Sequence, residues 1–234
     1  VYKNPSYDPD NKYTVPYQGG VAAITVNTAK IDKQITSYAD LFEPEFKDQI
    51  VMLDDFRAVI GITAKSLGYS MSETDPAKLN EIQDKLLTLK NNVTLYDSDS
   101  PKSALISGDA NVGMIWSAEI ALAKEENPDI QIVFPTEGAY VFIDNWAIPK
   151  GAKNYDNAVE FMNYMMGESA AKMNIEEFPY LTTNKKALQA MGDEYTQDEA
   201  KNPPADVIEG GEYIRNLDTD TLSIYSDMWT KLKE

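Results

Sequence analysis

The stretch Ile50-Val51-Met52-Leu53-Asp54-Asp55-Phe56-Arg57 is an apolar run that stops at two aspartates. Asn111–Trp116 and Val141–Pro149 have the same form, since each contains a short apolar run followed by Trp or Asp. Runs of this kind predict buried strands. Carboxylates supply negative charge, and aromatic faces attract cations. The three stretches therefore favour recognition of a small, positively charged molecule over catalysis.

Helical patterns separate the predicted strands. Asp55 and Asp75 are good N-caps, and apolar residues recur at helical spacing after each of them. The predicted strands are 15–27, 50–53, 93–96, 112–116, 130–134 and 140–143, and the predicted helices are 37–46, 56–67, 76–89, 101–108, 118–126, 158–166, 169–174, 185–191 and 220–233. This alternation predicts an α/β fold with largely parallel sheets. In such folds ligands bind beyond the carboxyl ends of the strands.

Composition narrows the function classes. The chain has 234 residues, enough for one large or two small domains, and it is 43% hydrophobic and 25% charged, as in globular proteins. Its net charge of -17 repels nucleic acid and anionic lipid, although an acidic surface also simply maintains solubility. The absence of Cys and His excludes disulfides, thiolate nucleophiles and the commonest general base.

Neither a membrane-spanning stretch nor a signal peptide is visible in the given residues. No stretch approaches the ~20 consecutive apolar residues of a membrane-spanning helix, and no signal peptide is visible. The chain opens at Val1 without Met. We therefore expect a processed or truncated product.

A series of short motifs extends along nearly the whole chain. The motifs are Val15–Tyr17, Ala23–Asn27, Thr36–Phe42, Asp54–Arg57, Tyr96–Asp99, Gly113–Trp116, Phe134–Gly138 and Ile143–Pro149. In this order they resemble the polyamine-binding subgroup of bacterial periplasmic solute-binding proteins, which deliver spermidine and putrescine to ABC importers. The resemblance implies a two-lobed periplasmic-binding-protein-like (type II) fold with parallel or mixed sheets. It also implies a non-enzymatic protein without a cofactor, which binds no nucleic acid.

The resemblance also implies a location and a lobe organisation. The location is extracytoplasmic, either periplasmic or as a lipoprotein at the cell surface, where ABC permease subunits in the membrane are the partners. Residues 19–138 form the complete second lobe, and residues 1–18 and 139–234 form the rest of a first lobe that lacks its opening strands and helices. Apolar helix faces within 159–175 would then be uncovered, so self-association is expected.

Three predicted ligand contacts lie in the second lobe. The resemblance places Asp55 against a terminal ammonium, with a helix N-cap as the alternative role. It makes Ser98 a hydroxyl contact, with a plain turn as the alternative, and it packs Trp116 along the polyamine methylenes, with core packing as the alternative. The acid-rich turn around Ser98 lacks the Gly and Glu of an EF-hand loop, so no metal site is expected.

Three further contacts belong to the first lobe. Phe142 stands where the family often has Trp, Asp144 matches a carboxylate that binds a second nitrogen, and Tyr180 matches a cleft aromatic. An aspartate among apolar neighbours is costly in a core unless it is paired. Two positions depart from the family: Ala58 replaces a frequent Glu and Ile214 replaces an occasional Gln, so altered amine recognition is expected.

Other functions remain open at this point. A glycosidase could use Asp54, Asp55 or Asp144, but adjacent acids diverge on an extended backbone, and no nucleophile–base pair stands out. A truncated fragment without ligand binding and a binder of another small cation are the remaining alternatives.

Overall fold

The computed structural model describes Pro5 and Tyr7–Glu234. The chain forms two compact units. The first unit contains the described residues of Val1–Gly20 together with Phe142–Pro203, and the second contains Val21–Val141 and Pro204–Glu234. Residues 204–234 thus belong to the second unit, whereas the lobe division drawn from the resemblance assigned them to the first lobe.

The element order is that of an α/β protein. The strands are β1 (Val15–Asn27), β2 (Ile50–Met52), β3 (Val93–Tyr96), β4 (Val112–Trp116), β5 (Ile130–Val133), β6 (Tyr140–Trp146) and β7 (Leu181–Thr182). The α-helices are α1 (Phe56–Ser66), α2 (Pro76–Leu89), α3 (Lys102–Ser107), α4 (Ser117–Glu126), α5 (Tyr155–Met165), α6 (Glu168–Glu177), α7 (Lys185–Ala190), α8 (Asp193–Thr196), α9 (Ala205–Gly210) and α10 (Thr219–Lys233). Two 3₁₀-helices, Tyr38–Phe42 and Pro44–Phe46, occupy the region predicted as one helix.

The sheet of the second unit has the strand order β3-β2-β4-β1-β5. β2 is parallel to both β3 and β4, with Met52 paired to Tyr96 and to Met114. β1 is antiparallel to β4 and β5, so the sheet is mixed. Because β2, β3 and β4 are parallel neighbours, the residues that follow them lie at one edge of the sheet.

Buried strands and helix faces form the core of the second unit. Ile50–Leu53 is fully buried, and α1 contributes a run of buried residues, Ala58–Ala64. The helix α10 packs on α1 and α2. Its Tyr225 is fully buried and donates a hydrogen bond of 3.0 Å to the carbonyl oxygen of Glu73.

The segment 204–234 is joined to the second unit by hydrogen bonds as well as by packing. The backbone N–H of Val141 donates to the Glu212 carbonyl oxygen at 2.9 Å. The Glu212 carboxylate accepts from the Ser70 hydroxyl at 2.5 Å and from the Lys65 ammonium at 3.3 Å. Backbone and side-chain contacts therefore both hold this segment in place.

The first unit is built around the opening residues of β1. Gln18 and Gly19 of β1 pair with β7, and β1 also pairs with β6. A Cβ atom on Gly19 would lie 2.8 Å from the Phe142 carbonyl oxygen. Glycine is therefore required for the close approach of these two backbones.

The helix α5 of the first unit contains no buried residue. Tyr155, Phe161 and Tyr164 are each more than half exposed, at 59%, 51% and 63%. A groove of ≈ 460 Å³ lies beside α5. Its lining includes Val15, Ile148 and the α5 residues Tyr155, Val159, Met162 and Asn163. Of the apolar residues predicted to be uncovered within 159–175, Phe161 and Met173 are more than half exposed, whereas Ile175 is buried in a cluster with Ala171, Ala187 and Tyr195, so that part of the prediction is wrong.

Candidate ligand-binding site

Asp55 follows β2 and begins α1. Its Oδ1 accepts hydrogen bonds from the backbone N–H groups of Arg57 at 2.8 Å and Ala58 at 3.2 Å. No hydrogen bond or ion pair of its Oδ2 is found within the described part of the chain, and the residue is half-buried. One carboxylate oxygen thus caps the helix while the other stays available to a cation, so the two predicted roles of Asp55 are compatible.

The adjacent Asp54 has a different environment. It is exposed and forms an ion pair with the Lys233 ammonium. The same ammonium lies 4.8 Å from the ring centroid of Tyr96 and 4.6 Å from that of Trp229. The two acids therefore diverge as predicted, and the charge of Asp54 is already neutralised by the chain itself.

Ser98 lies in the turn after β3. The turn itself is held by Asp97, whose carboxylate accepts from the N–H groups of Asp99 at 2.8 Å and Ser100 at 3.1 Å. The Ser98 hydroxyl oxygen is buried and has no hydrogen-bond partner among the described residues. A buried hydroxyl without a partner is costly, and a ligand would relieve that cost.

Trp116 ends β4 and is half-buried. Its ring lies 5.9 Å from that of Tyr140, with the planes at 57°. The backbone N–H of Tyr140 donates to the hydroxyl of the buried Tyr38 at 3.2 Å, which holds Tyr140 in position. Strands β3, β2 and β4 are neighbours about 4.8 Å apart, so the second unit brings Ser98, Asp55 and Trp116 to one edge of its sheet.

Phe142, Asp144 and Tyr180 come together in the first unit. Phe142 and Asp144 are two residues apart on β6 and therefore face the same side. The rings of Phe142 and Tyr180 are 5.7 Å apart and nearly perpendicular, at 86°. The Tyr195 hydroxyl donates to the Tyr180 carbonyl oxygen at 2.9 Å, which fixes the backbone just before β7.

Asp144 is exposed, which avoids the cost of placing an aspartate among apolar neighbours in a core. Its Oδ2 accepts a hydrogen bond of 3.2 Å from the Gln18 amide, and no ion pair of Asp144 is present within the described residues. The Gln18 Oε1 accepts from the Asn174 amide at 3.1 Å, and the Asn174 Oδ1 accepts from the Tyr17 hydroxyl at 2.6 Å.

The row of hydrogen bonds formed by Asp144, Gln18, Asn174 and Tyr17 contains no cation that could pair with the Asp144 carboxylate. Burial raises the pKa of the Tyr17 phenol, and the negative charge of Asp144 raises it further, while the bond to Asn174 opposes both effects. Tyr17 therefore stays protonated and neutral at neutral pH. The partners of Asp144 in the row are amides and a phenol, so none of them cancels its charge.

Several residues beside Asp144 were missed as site candidates. The rings of Tyr17 and Trp146 are 4.8 Å apart, and Trp146 also contacts Phe161 at 5.5 Å. The Trp146 indole N–H is buried without a partner among the described residues. Tyr17 and Trp146 both lie in motifs quoted from the sequence, which was a usable signal. Asn174 lies in α6, far from those motifs, and nothing in the sequence indicated its contact with Gln18.

The described residues contain no cluster of three or more acidic, His or Cys side chains that could hold a metal ion. Among the same residues, no helix has the length and apolar character needed to cross a membrane.

Comparison with known proteins identifies the family. The sequence pattern of the family described as "Bacterial extracellular solute-binding protein" matches residues 3–204. The chain belongs to the bacterial extracellular solute-binding proteins. Membership in this family confirms the two-lobed fold class and the extracytoplasmic location that the resemblance implied.

Individual relatives of this solute-binding protein include proteins named for polyamines. The spermidine/putrescine-binding periplasmic protein of Salmonella typhimurium is 36% identical over 231 residues, which cover 98% of this chain and 66% of that relative. Its counterpart in Escherichia coli is 35% identical with the same coverage. The chain thus spans slightly less than two thirds of the length of these curated relatives.

Solved structures support the same fold. A structure from Listeria monocytogenes matches with a TM-score of 0.93 and 36% identity, covering 99% of this solute-binding protein and 72% of that chain. The spermidine/putrescine ABC transporter substrate-binding protein PotD of Streptococcus pneumoniae matches with a TM-score of 0.84 and 33% identity, covering 98% and 71% respectively. The cleft between lobes in which the resemblance places the ligand stays a prediction.

Proposed function

We propose that this solute-binding protein is the polyamine-binding component of an ABC importer, with a linear alkyl polyamine of the spermidine or putrescine type as its ligand. The relatives at 35–36% identity are named for these two polyamines. ABC permease subunits in the membrane are the proposed partners. We further propose that Asp55, Ser98, Trp116, Phe142, Asp144 and Tyr180 contact the ligand.

The observation that carries this proposal is the state of two carboxylates. Asp55 and Asp144 follow or lie in strands, and within the described residues neither has an ion-pair partner. Their hydrogen-bond donors are backbone N–H groups and an amide, which are neutral. Each acid therefore keeps a full negative charge that an ammonium group can neutralise.

Aromatic rings near the acids suit the rest of such a ligand. A polyamine alternates ammonium groups with short methylene chains. The rings of Phe142 and Tyr180 meet at a right angle in the first unit, and Trp116 packs beside Tyr140 in the second. Ring faces pack against methylenes and attract ammonium groups by cation–π interaction. Phe attracts a cation less strongly than the Trp that the family often has at position 142.

The rival enzymatic function lacks support from the same geometry. A glycosidase requires two carboxylates in separate acid and base roles. Asp54 is held in an ion pair with Lys233, and one oxygen of Asp55 caps a helix. The relatives are solute-binding proteins. We therefore propose that the chain binds its ligand without transforming it.

Calorimetric titration tests the proposal. The wild-type chain is titrated with spermidine, with putrescine and with a neutral oligosaccharide, each at two salt concentrations. We expect saturable binding of at least one polyamine that weakens as salt rises, and no binding of the oligosaccharide. Preferential binding of the oligosaccharide, or no binding of either polyamine, would overturn the proposal.

Two variants that each remove one negative charge test whether the polyamine binds at Asp144. Asp144→Asn removes the carboxylate beside Gln18, whereas Asp156→Asn removes another exposed carboxylate, from the start of α5. We expect Asp144→Asn to weaken polyamine binding at least tenfold and Asp156→Asn to change it less than twofold. Equal effects of the two substitutions would show that only overall charge matters and that Asp144 is not a ligand contact.

A further inference from the structure

A second cluster of acid and aromatic groups surrounds the Lys233 ammonium. Asp54 follows β2, Tyr96 ends β3, and Trp229 lies one helical turn before Lys233 in α10. The ammonium pairs with the Asp54 carboxylate and lies 4.8 Å and 4.6 Å from the centroids of the Tyr96 and Trp229 rings. The three groups around Lys233 are called the Asp54 cage below.

The geometry of the Asp54 cage is that of an ammonium receptor. The two rings meet almost edge to face, with centroids 5.2 Å apart and planes at 78°. Two ring faces that converge on one cation, together with a carboxylate, form the arrangement by which aromatic cages bind alkylated ammonium groups. Every component belongs to the second unit, so the cage is complete within it.

An ordinary surface ion pair does not need this arrangement. Lys78 offers a comparison, since it pairs with Glu73 at 3.0 Å and lies over a single ring, that of Tyr69, at 4.9 Å. Lys233 contacts two rings. The Tyr96 hydroxyl is moreover buried without a hydrogen-bond partner among the described residues, a cost that packing of the ring against the cation helps to offset.

Lys233 lies where another cation could take its place in the Asp54 cage. Lys233 lies in the last turn of α10, and its side chain remains 35% exposed. The long Lys side chain can swing into solvent without moving the helix, and the paired Asp54 side chain is 47% exposed. Water and small solutes therefore reach the carboxylate and the ammonium.

We infer that Asp54, Tyr96 and Trp229 form a primary-alkylammonium site whose resident occupant is Lys233, and that a small alkylammonium ion binds there when Lys233 is removed. The site is separate from the proposed ligand contact at Asp55, although the two aspartates are adjacent. The inference does not depend on the polyamine proposal, because it concerns an ammonium that the chain itself supplies.

The experiment supplies the missing side chain as a soluble ion. Lys233→Met keeps an unbranched apolar side chain but removes the ammonium, and n-butylammonium restores the four methylenes and charge of Lys. Lys231→Met is the control, because Lys231 is on the same helix and contacts Gln83 at 2.9 Å instead of the cage. The neutral probe n-butanol reports any effect of the butyl chain alone.

We expect n-butylammonium to raise the melting temperature of Lys233→Met by about 3–6 °C more than that of Lys231→Met, at a concentration about tenfold above its dissociation constant. Binding of the probe at any other site, including the one around Asp55, affects both variants and cancels in the comparison. n-Butanol should produce no such difference. Equal shifts in the two variants would overturn the inference.

Two further variants distinguish the contribution of the aromatic rings from the effect of losing the Lys233 charge. Lys233→Gln should show the same rescue by n-butylammonium, and it replaces Lys233→Met if that variant does not fold. Adding Trp229→Leu to either variant removes one ring and should abolish most of the rescue. A rescue that is unaffected by the loss of Trp229 would show that the ion binds Asp54 as a simple counterion, which would overturn the assignment of an aromatic cage.

Discussion

Replacing Asp55 by Asn separates the two roles of this side chain. The structure assigns Oδ1 to the start of α1 through two backbone N–H groups, at 2.8 Å and 3.2 Å, and it shows no partner for Oδ2 among the described residues. Asn is as good an N-cap as Asp because its carbonyl oxygen accepts the same hydrogen bonds. Asp55→Asn should therefore retain the cap and lose only the charge, whereas Asp55→Ala should lose both.

The expected magnitudes follow from this division. Asp55→Ala should lower the free energy of unfolding by about 1 kcal/mol, the usual cost of losing an N-cap. Asp55→Asn should lower it by about 0.3–1 kcal/mol at most, through the lost attraction between the carboxylate and the helix dipole. A hydrogen bond between a charged pair contributes about 1.5–3 kcal/mol, so both variants should bind a polyamine about 10- to 150-fold more weakly.

Asp75 is the matched control, since it caps α2 in the same unit through the backbone N–H of Ala77 at 2.8 Å. Asp75→Asn and Asp75→Ala should reproduce the stability changes without changing the affinity. Denaturant unfolding measures stability, and calorimetric titration measures binding. If Asp55→Asn and Asp75→Asn bind spermidine with the same affinity, Asp55 is only a helix cap and the reasoning fails.

Three other perturbations test separate parts of the structure. Ala58→Glu introduces the acid that the family resemblance places at this position, but Ala58 is fully buried. Thermal unfolding should therefore show a less stable chain that polyamine stabilises more than it stabilises wild type. Tyr96→Phe removes a buried hydroxyl that has no partner among the described residues, so stability at pH 7 should be unchanged or slightly higher. Phe161→Glu places a charge on the exposed face of α5, and sedimentation velocity at micromolar concentration should show less self-association than wild type.

Tyr96 should also make the stability of the folded chain decrease at high pH. Burial, and then the charge of Asp54, raise the pKa of the Tyr96 phenol above its ordinary value of 10.0. The unfolded chain therefore loses this proton first as pH rises, so the contribution of Tyr96 to stability is complete below about pH 10 and decreases above it. Tyr96→Phe should show a smaller loss of stability between pH 9 and about 11 than wild type, and an unchanged slope would contradict this assignment.

The controls for the other two substitutions introduce the same charge at exposed helix positions. Lys65, near the end of α1, is half-buried beside Glu212 and is unsuitable, so the exposed Ala77→Glu in α2 of the same unit serves as the control for the charge introduced at Ala58. For Phe161→Glu the control is Asn157→Glu, on the same helix and exposed. A wild-type chain that sediments as a monomer would contradict the predicted self-association, and an Ala58→Glu variant as stable as wild type would contradict the burial argument.

Local sequence patterns were sufficient to predict the strands and helices that position the candidate site. Asp55 and Asp75 were recognised as N-caps because a capping side chain acts within three residues of itself. The bounds of β1, β3 and β4 agree with their apolar patterns. The region 37–46 was predicted as one helix, but Pro44 interrupts it and two 3₁₀-helices form instead. The strand β7 and the helices α8 and α9 are too short for a period to be detected.

Local sequence patterns could not predict contacts between residues that are far apart in the sequence. The Asp54–Lys233 ion pair joins residues 179 positions apart, and the packing of α10 on α1 and α2 is equally remote in sequence. Phe142, Ile143 and Trp146 flank Asp144 in the sequence, and an aspartate would be costly in a core formed by such neighbours unless it is paired. The Asp144 carboxylate is exposed, and it accepts a hydrogen bond from Gln18, a residue 126 positions away in the sequence.

The two aspartates after β2 show why the partner of an acid matters more than its presence. Asp54 and Asp55 have the same chemistry and adjacent positions, yet Asp54 is neutralised by Lys233 while Asp55 is bound only by neutral N–H groups. An acid paired with a fixed cation has no net charge to offer, whereas one held by neutral donors is oriented and still charged. Asp144, held by an amide, belongs to the second class. Asp75 and Asp97 are also held by neutral N–H groups, so this criterion excludes Asp54 while Lys233 is paired with it but does not by itself select Asp55 and Asp144, whose proposed role also rests on the aromatic rings of the site.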